Sequence, residues 1–230
     1  MKNNLLNTAN FRKGAKDYFY LIDRKYPQKG TLKLVGDRYK LSGDQRTMLY
    51  RGISAASRAG KRKLRLTRTI DNKILVIDGY NVLFTILNYR LGKPVFISND
   101  GILRDAGSLH GKLRNEEVFI ECITLLFDFF ISTKPKHMEI FLDSPVSHSA
   151  VHKNTIEHEL ARHSLSGKCK LVKSPDFEIK RYSQGLICTS DTAIINKTYN
   201  PIADLPRLVL EKNFTCDFLQ IEDILNSENT

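Results

Sequence analysis

The stretch Lys73-Ile-Leu-Val-Ile-Asp78-Gly-Tyr-Asn81 decides how this chain is read: an unbroken apolar run, rich in β-branched residues, closes on an aspartate and a glycine. A short apolar run without alternation is what a strand buried on both faces needs, and such strands belong to parallel sheets covered by helices. Two later stretches repeat the form. Met138-Glu-Ile-Phe-Leu-Asp143 and Gly185-Leu-Ile-Cys-Thr-Ser-Asp191 also run from apolar residues into an aspartate. Weaker strand signals lie at Val95 to Ser98, Lys170 to Lys173 and Pro201 to Ala203. Between them, a helix is predicted from near Asn115, with Phe119, Ile123, Leu126 and Phe130 on one face and Pro135 beyond its end. A second covers His152 to His163. Strands alternating with amphipathic stretches predict a doubly wound α/β domain over residues 71–230.

Upstream the composition changes. Residues 1–70 hold 18 Lys and Arg against four Asp, a net charge of +14, while the remainder carries −3. Apolar residues at Tyr18, Leu21 and Ile22, then Leu32, Leu34 and Val35, then Met48, Leu49 and Ile53 predict three helices. Tyr26-Pro27 and Gly30 separate the first two, and Ser42 with Gln45 has the spacing of a capping box opening the third. Lys61, Arg62, Lys63 and Arg65, with Arg68, read as a basic arm entering the second domain. The expected organisation is a small, basic, all-helical segment over 1–70 followed by the α/β domain. Charge divided so unevenly points to a polyphosphate partner, RNA or another nucleic acid, held mainly by the N-terminal segment.

Several classes are excluded or disfavoured. The four cysteines are scattered without a CxxC pair, so they read as small buried residues of a reducing compartment, the cytoplasm. No run approaches the ~20 apolar residues of a bilayer span, so no membrane partner is expected, and homo-oligomerisation is left open. His158 and His163 are five apart and diverge on a helix; His148 and His152 are four apart but follow Pro145 in a loop-like stretch, so zinc is not expected. Neither a GxxxxGK[ST] loop nor a GxGxxG turn is present, and Tyr80 stands where a haloacid-dehalogenase phosphatase needs its second aspartate.

In an open parallel sheet the carboxyl ends of the strands share one edge, where ligands bind. If the three best strands are neighbours, Asp78, Asp143 and Asp191 converge there, and their mutual repulsion is relieved by a hard divalent cation, Mg²⁺ or Mn²⁺. Each aspartate alone could instead cap the next helix. In the glycine-rich loop from Asp100 to Arg114, Arg104 and Arg114 are candidates to grip phosphate and Asp105 to complete the metal site; the bland alternative is a solvated connection with local salt bridges. Asp204, before Leu-Pro, reads as a helix cap.

Asp78-Gly-Tyr-Asn-Val-Leu83, followed by Phe141-Leu-Asp143 and Thr189-Ser-Asp191-Thr-Ala-Ile-Ile195, resembles the acidic positions of PIN-like nucleases of the NYN type, in their order. The whole chain also resembles an uncharacterised prokaryotic family in which a basic helical segment precedes such a domain. The resemblance implies a three-layer parallel fold and a metal-dependent ribonuclease, with Asp78, Asp143 and Asp191 holding the metal and Asn81 orienting Asp78. A further acidic place on the helix between the first two strands has Asp105, Glu116 and Glu117 as competitors. Without that ligand, the chain would be a catalytically inactive nucleic-acid-binding module.

Overall fold

The computed structural model describes residues 6–107 and 115–227. In chain order the elements begin with four helices, α1 (Ala9–Asp23), α2 (Gln28–Arg38), α3 (Gly43–Gly52) and α4 (Ala56–Lys63). Strands β1 (Leu66–Thr67) and β2 (Ile74–Asp78) lead into helix α5 (Gly79–Arg90), and β3 (Val95–Ile97) and β4 (Leu103–Asp105) follow. Next come α6 (Glu116–Thr133), β5 (His137–Asp143), α7 (Ser149–Arg162), β6 (Gly167–Val172) and α8 (Pro175–Ile179). The rest is β7 (Leu186–Cys188), α9 (Thr192–Ile195), β8 (Ile202–Ala203), α10 (Leu205–Asn213), β9 (Leu219–Gln220) and α11 (Ile221–Asn226).

These elements form two compact units, which divide the chain differently from a single cut at residue 70. One draws on Met1–Leu64, Asn88–Ser108 and Asp217–Thr230, the other on Arg65–Leu87 and Leu109–Cys216. In the first unit the N-terminal segment has four helices among the described residues where three were expected. Pro27 caps α2, and Ser42 and Gln45 form the reciprocal capping box of α3. Phe11, Tyr18, Val35, Met48 and Leu49 supply most of the core, but Phe96, Ala106, Ile221 and Ile224 complete it. Strand β3, a candidate for the main sheet, instead pairs antiparallel with β4 and parallel with β9 in a small sheet of this unit.

The second unit holds a six-stranded, wholly parallel sheet in the order β1-β8-β7-β2-β5-β6, with helices before, between and after the strands. The three aspartate-ended runs are its central strands. Leu75, Val76 and Ile77 are fully buried, as a strand covered on both faces must be, and burying each such side chain contributes ~1.5–3 kcal/mol. Helix α6 packs Phe119, Ile123, Leu126, Phe127 and Phe130 inward. The stretch expected to be a basic arm is a correction: its first half is α4, and Leu66–Thr67 is an edge strand of the sheet, too short for any alternation to show.

Candidate active site

From β2 the chain steps to β5 and β6 on one side, then crosses back to β7 and β8 on the other. The reversal lies between β2 and β7, and at such a switch point the helices leave on opposite faces and open a crevice beyond the strand ends. Asp78 is the last residue of β2, Asp143 the last of β5, and Asp191 stands three residues past β7. All three line one cleft of about 430 Å³, together with Asp176, Lys173 and Asn81.

The residues after β2 are set by their surroundings. Helix α5 starts with no intervening loop, which brings the Gly79 backbone against β5. A Cβ there would stand 2.6 Å from Leu142 Cδ2 and 3.0 Å from the Phe141 carbonyl oxygen, so only glycine fits without a shift. Tyr80 is buried, its hydroxyl sharing a 2.8 Å hydrogen bond with His152 Nδ1 and its ring packed on Phe84 and Phe119. Asn81 Oδ1 accepts from the Ser190 amide (2.7 Å) and hydroxyl (3.0 Å), tying the start of α5 to the end of β7. It does not orient Asp78, as the resemblance implied. Thr189 does, donating from Oγ1 to Asp78 Oδ2 at 2.8 Å.

Packing thus accounts for Gly79, Tyr80 and Asn81, and leaves Asp78. Its carboxyl is buried, with Thr189 as its hydrogen-bond partner and no ion pair among the described residues. Burial pushes its pKa up to about 7; the Thr189 bond opposes the shift, while Asp143, Asp191 and Asp176 add to it by repulsion. Asp143 is raised too, by burial first and then by Asp176. Asp191 is in part a helix cap, its Oδ1 accepting from the Ala193 amide at 2.7 Å.

The sign of the resulting pH dependence is definite. Between about 4 and about 7 the folded chain keeps the Asp78 proton that the unfolded chain has lost, so this group's contribution to stability falls as pH rises through that window. In chelator, the melting temperature of Asp78→Asn should therefore match wild type near pH 4 and exceed it increasingly towards pH 8. A constant difference between the two melting curves across that range would show that the carboxyl titrates normally.

Four carboxyl groups around one cleft, one of them buried and resisting ionisation, are a donor set whose chemistry suits a hard divalent cation. As they stand, no three acidic, histidine or cysteine side chains among the described residues form a ready-made ligand group. The fit is therefore one of chemistry and placement rather than of preset coordination.

The remaining candidates fall elsewhere. Asp105 belongs to the first unit, where Arg51, Asn88 and the Gly107 amide engage its carboxylate, and it does not line the cleft. Glu116 pairs with His152 Nε2 at 2.7 Å, and neither it nor Glu117 lines the cleft. Arg104 is buried with both guanidinium nitrogens on Asp100, and Arg62 is buried against the same carboxylate, so neither presents a phosphate-binding surface. Arg65 donates to the carbonyls of Ile195 and Asn200 and to Thr198 Oγ1. Lys63 is paired with Glu222, and Lys61 is exposed. Arg114 lies outside the described residues. His152 is fully buried with both ring nitrogens bonded, and His148 is the left-handed cap of α7. Asp204 is a helix cap, accepting from the Arg207 amide.

Sequence reasoning passed over Thr189, the hydrogen-bond partner of Asp78, and the cleft residue Asp176. Asp176 lies four residues past β6 and could have been found by applying the strand-end rule to that weaker strand. Thr189 had no separate signal.

Fold and site together define a doubly wound parallel α/β protein with an acidic cleft at its switch point. Residues 67–208 match the family described as "Domain of unknown function (DUF5616)", and the chain belongs to that family. Residues 10–65 match "Protein of unknown function (DUF434)". The chain is 31% identical over 185 residues to an uncharacterized protein of Methanocaldococcus jannaschii, an alignment covering 80% of this chain and 88% of that protein. No solved structure matches. No helix among the described residues is long and apolar enough to cross a membrane.

Proposed function

We propose that this protein is a PIN-like, Mg²⁺- or Mn²⁺-dependent ribonuclease of the cytoplasm that hydrolyses single-stranded RNA. The observation that carries the reading is Asp78: a buried carboxyl with a pKa near 7, at the switch point, facing three further carboxyl groups. A charge that costly to bury persists where an ionised form has work to do. Asp78, Asp143 and Asp191 would hold the cation, with Asp176 beside them as the fourth carboxyl group in place of Asp105, Glu116 or Glu117. Such a cation supplies positive charge that offsets the charge building on a phosphodiester as it is hydrolysed. Thr189 holds Asp78 in one orientation, and Lys173, which lines the cleft, would take a phosphate oxygen. Exposed cations of the N-terminal helices, among them Lys29, Lys33, Arg38 and Lys61, would add sequence-independent backbone contacts.

The alternative is a catalytically inactive module that binds nucleic acid, in which the carboxyl groups, which form no preset ligand group among the described residues, hold no cation. Incubating the full chain with structured and unstructured RNAs in Mg²⁺, in Mn²⁺ and in chelator, with binding followed in parallel, separates the two. Cleavage that disappears with chelator supports the ribonuclease. Binding without cleavage under any condition selects the module.

A further inference from the structure

The opposite edge of the same sheet carries a larger cleft, about 1170 Å³. It lies where β2, β5, β7 and β8 enter the sheet, and five cations line it: Lys73, Lys136, Lys180, Arg181 and Lys197. None of its lining residues is acidic. Lys180 and Arg181 have carboxylate partners behind them, Asp176 at 3.2 Å and Glu178 at 3.7 Å. Lys73, Lys136 and Lys197 have none among the described residues. Beside them Tyr199 stands 98% exposed, an aromatic ring with no packing role in the fold.

We propose that this cleft is a second binding site of the domain, one that holds single-stranded RNA by its phosphates on Lys73, Lys136 and Lys197 and by a base stacked on Tyr199. Cations gather by default where helices end, because helix C-termini are negative. That accounts for Lys180 and Lys197, which follow α8 and α9. It accounts neither for Lys73, which immediately precedes β2, nor for the exposed ring. A cationic groove with an aromatic platform is the arrangement that binds single strands without reading sequence. The two clefts also adjoin. Helix α8 carries Asp176 into the acidic cleft, and Lys180, one turn later, lines the basic one. A strand held on the basic side thereby lies about one helical turn, ~5 Å, from Asp176, and about a strand's length, ~17 Å, from Asp78.

The inference stands apart from catalysis and is tested without it. Binding of fluorescein-labelled U20 RNA to the full chain is followed by anisotropy in chelator across 50–200 mM salt. The K73Q/K136Q/K197Q variant should bind at least ~10-fold more weakly at 100 mM salt, and the slope of log K against log salt should shrink by about 2, the loss of three phosphate contacts on a single strand. Tyr199→Ala should cost ~5-fold or more. Both variants carry exposed substitutions, and matching melting temperatures check that they fold. A U20 oligomer bearing 4-thiouridine should cross-link to the peptide containing Tyr199. Unchanged affinity and slope in the lysine variant would overturn the inference, as would cross-links confined to the first unit, or poly-glutamate bound as tightly as RNA with no response to Tyr199→Ala. If wild type cleaves RNA while these variants bind normally, only this inference fails. If the variants lose binding while wild type never cleaves, only the ribonuclease reading does.

Discussion

Asp78→Asn lowers Mg²⁺- or Mn²⁺-dependent cleavage of single-stranded RNA by at least ~100-fold, the order expected when a metal site is weakened, and leaves RNA affinity nearly unchanged. The amide keeps the side-chain shape and can still accept from Thr189 Oγ1, but it carries no charge to hold a cation. The variant should also be better folded than wild type at neutral pH, because the substitution removes a buried carboxyl that burial drives towards protonation. Lost activity therefore cannot be attributed to lost structure. Asp143→Asn and Asp191→Asn should show similar losses, and the combined variant should lose little more than Asp78→Asn alone, since the carboxyl groups act as one unit. Asp191→Asn keeps the cap of α9 through the amide oxygen, so its effect isolates charge as well. Cleavage by Asp78→Asn at the wild-type rate would remove the ribonuclease assignment.

The second large effect lies in the first unit. Asp100 is fully buried, and its carboxylate takes two bonds from Arg104 (2.7 and 2.9 Å), one from Arg62 (2.8 Å) and one from Ser98 Oγ (2.5 Å). Burial alone would raise its pKa, but the two guanidinium groups hold it well below the usual carboxylate range. Asp100→Ala strands two buried positive charges, and removing one partner from a buried ionic cluster costs about 3–5 kcal/mol. For a chain of this length that corresponds to a fall in melting temperature of roughly 6–20 °C. Urea or thermal denaturation at pH 7 measures it; a fall below about 2 °C would mean that water or a rearranged partner satisfies the arginines.

These same residues show where the sequence could and could not be read. The central strands were legible because burial on both faces forces an unbroken apolar run, and the aspartates because each run ends on one. The lengths were legible to within a residue or two: β5 extends one residue beyond the predicted run at either end. Arg62 and Arg104 were misread because an arginine in a polar stretch looks the same whether it faces solvent or a buried carboxylate; only the fold supplies Asp100 as their shared partner. Net charge misled in the other direction. Residues 71–230 sum to −3, yet four of their carboxyl groups line one cleft and five of their cations line another at the opposite edge of the sheet, and a sum is blind to such clustering. Asn81 was matched through the resemblance to Asp78, three positions before it, while its amide oxygen is used by Ser190, just past a strand end more than a hundred positions later.

The discontinuous core of the first unit also sets an order of events during synthesis. Helices α1 to α4 leave the ribosome first, but the side chains that seal their apolar faces, Ile221 and Ile224, emerge roughly 150 residues later. At 5–20 residues per second that is a delay of about 8–30 s. In that interval the nascent N-terminal helices carry an unsealed hydrophobic face beside their surplus of positive charge, whereas the sheet of Arg65–Leu87 and Leu109–Cys216 has every strand it needs before Ile221 appears. The part of the chain made first is thus the part finished last, and a fragment ending near residue 65 would remain permanently in the state that the full chain passes through.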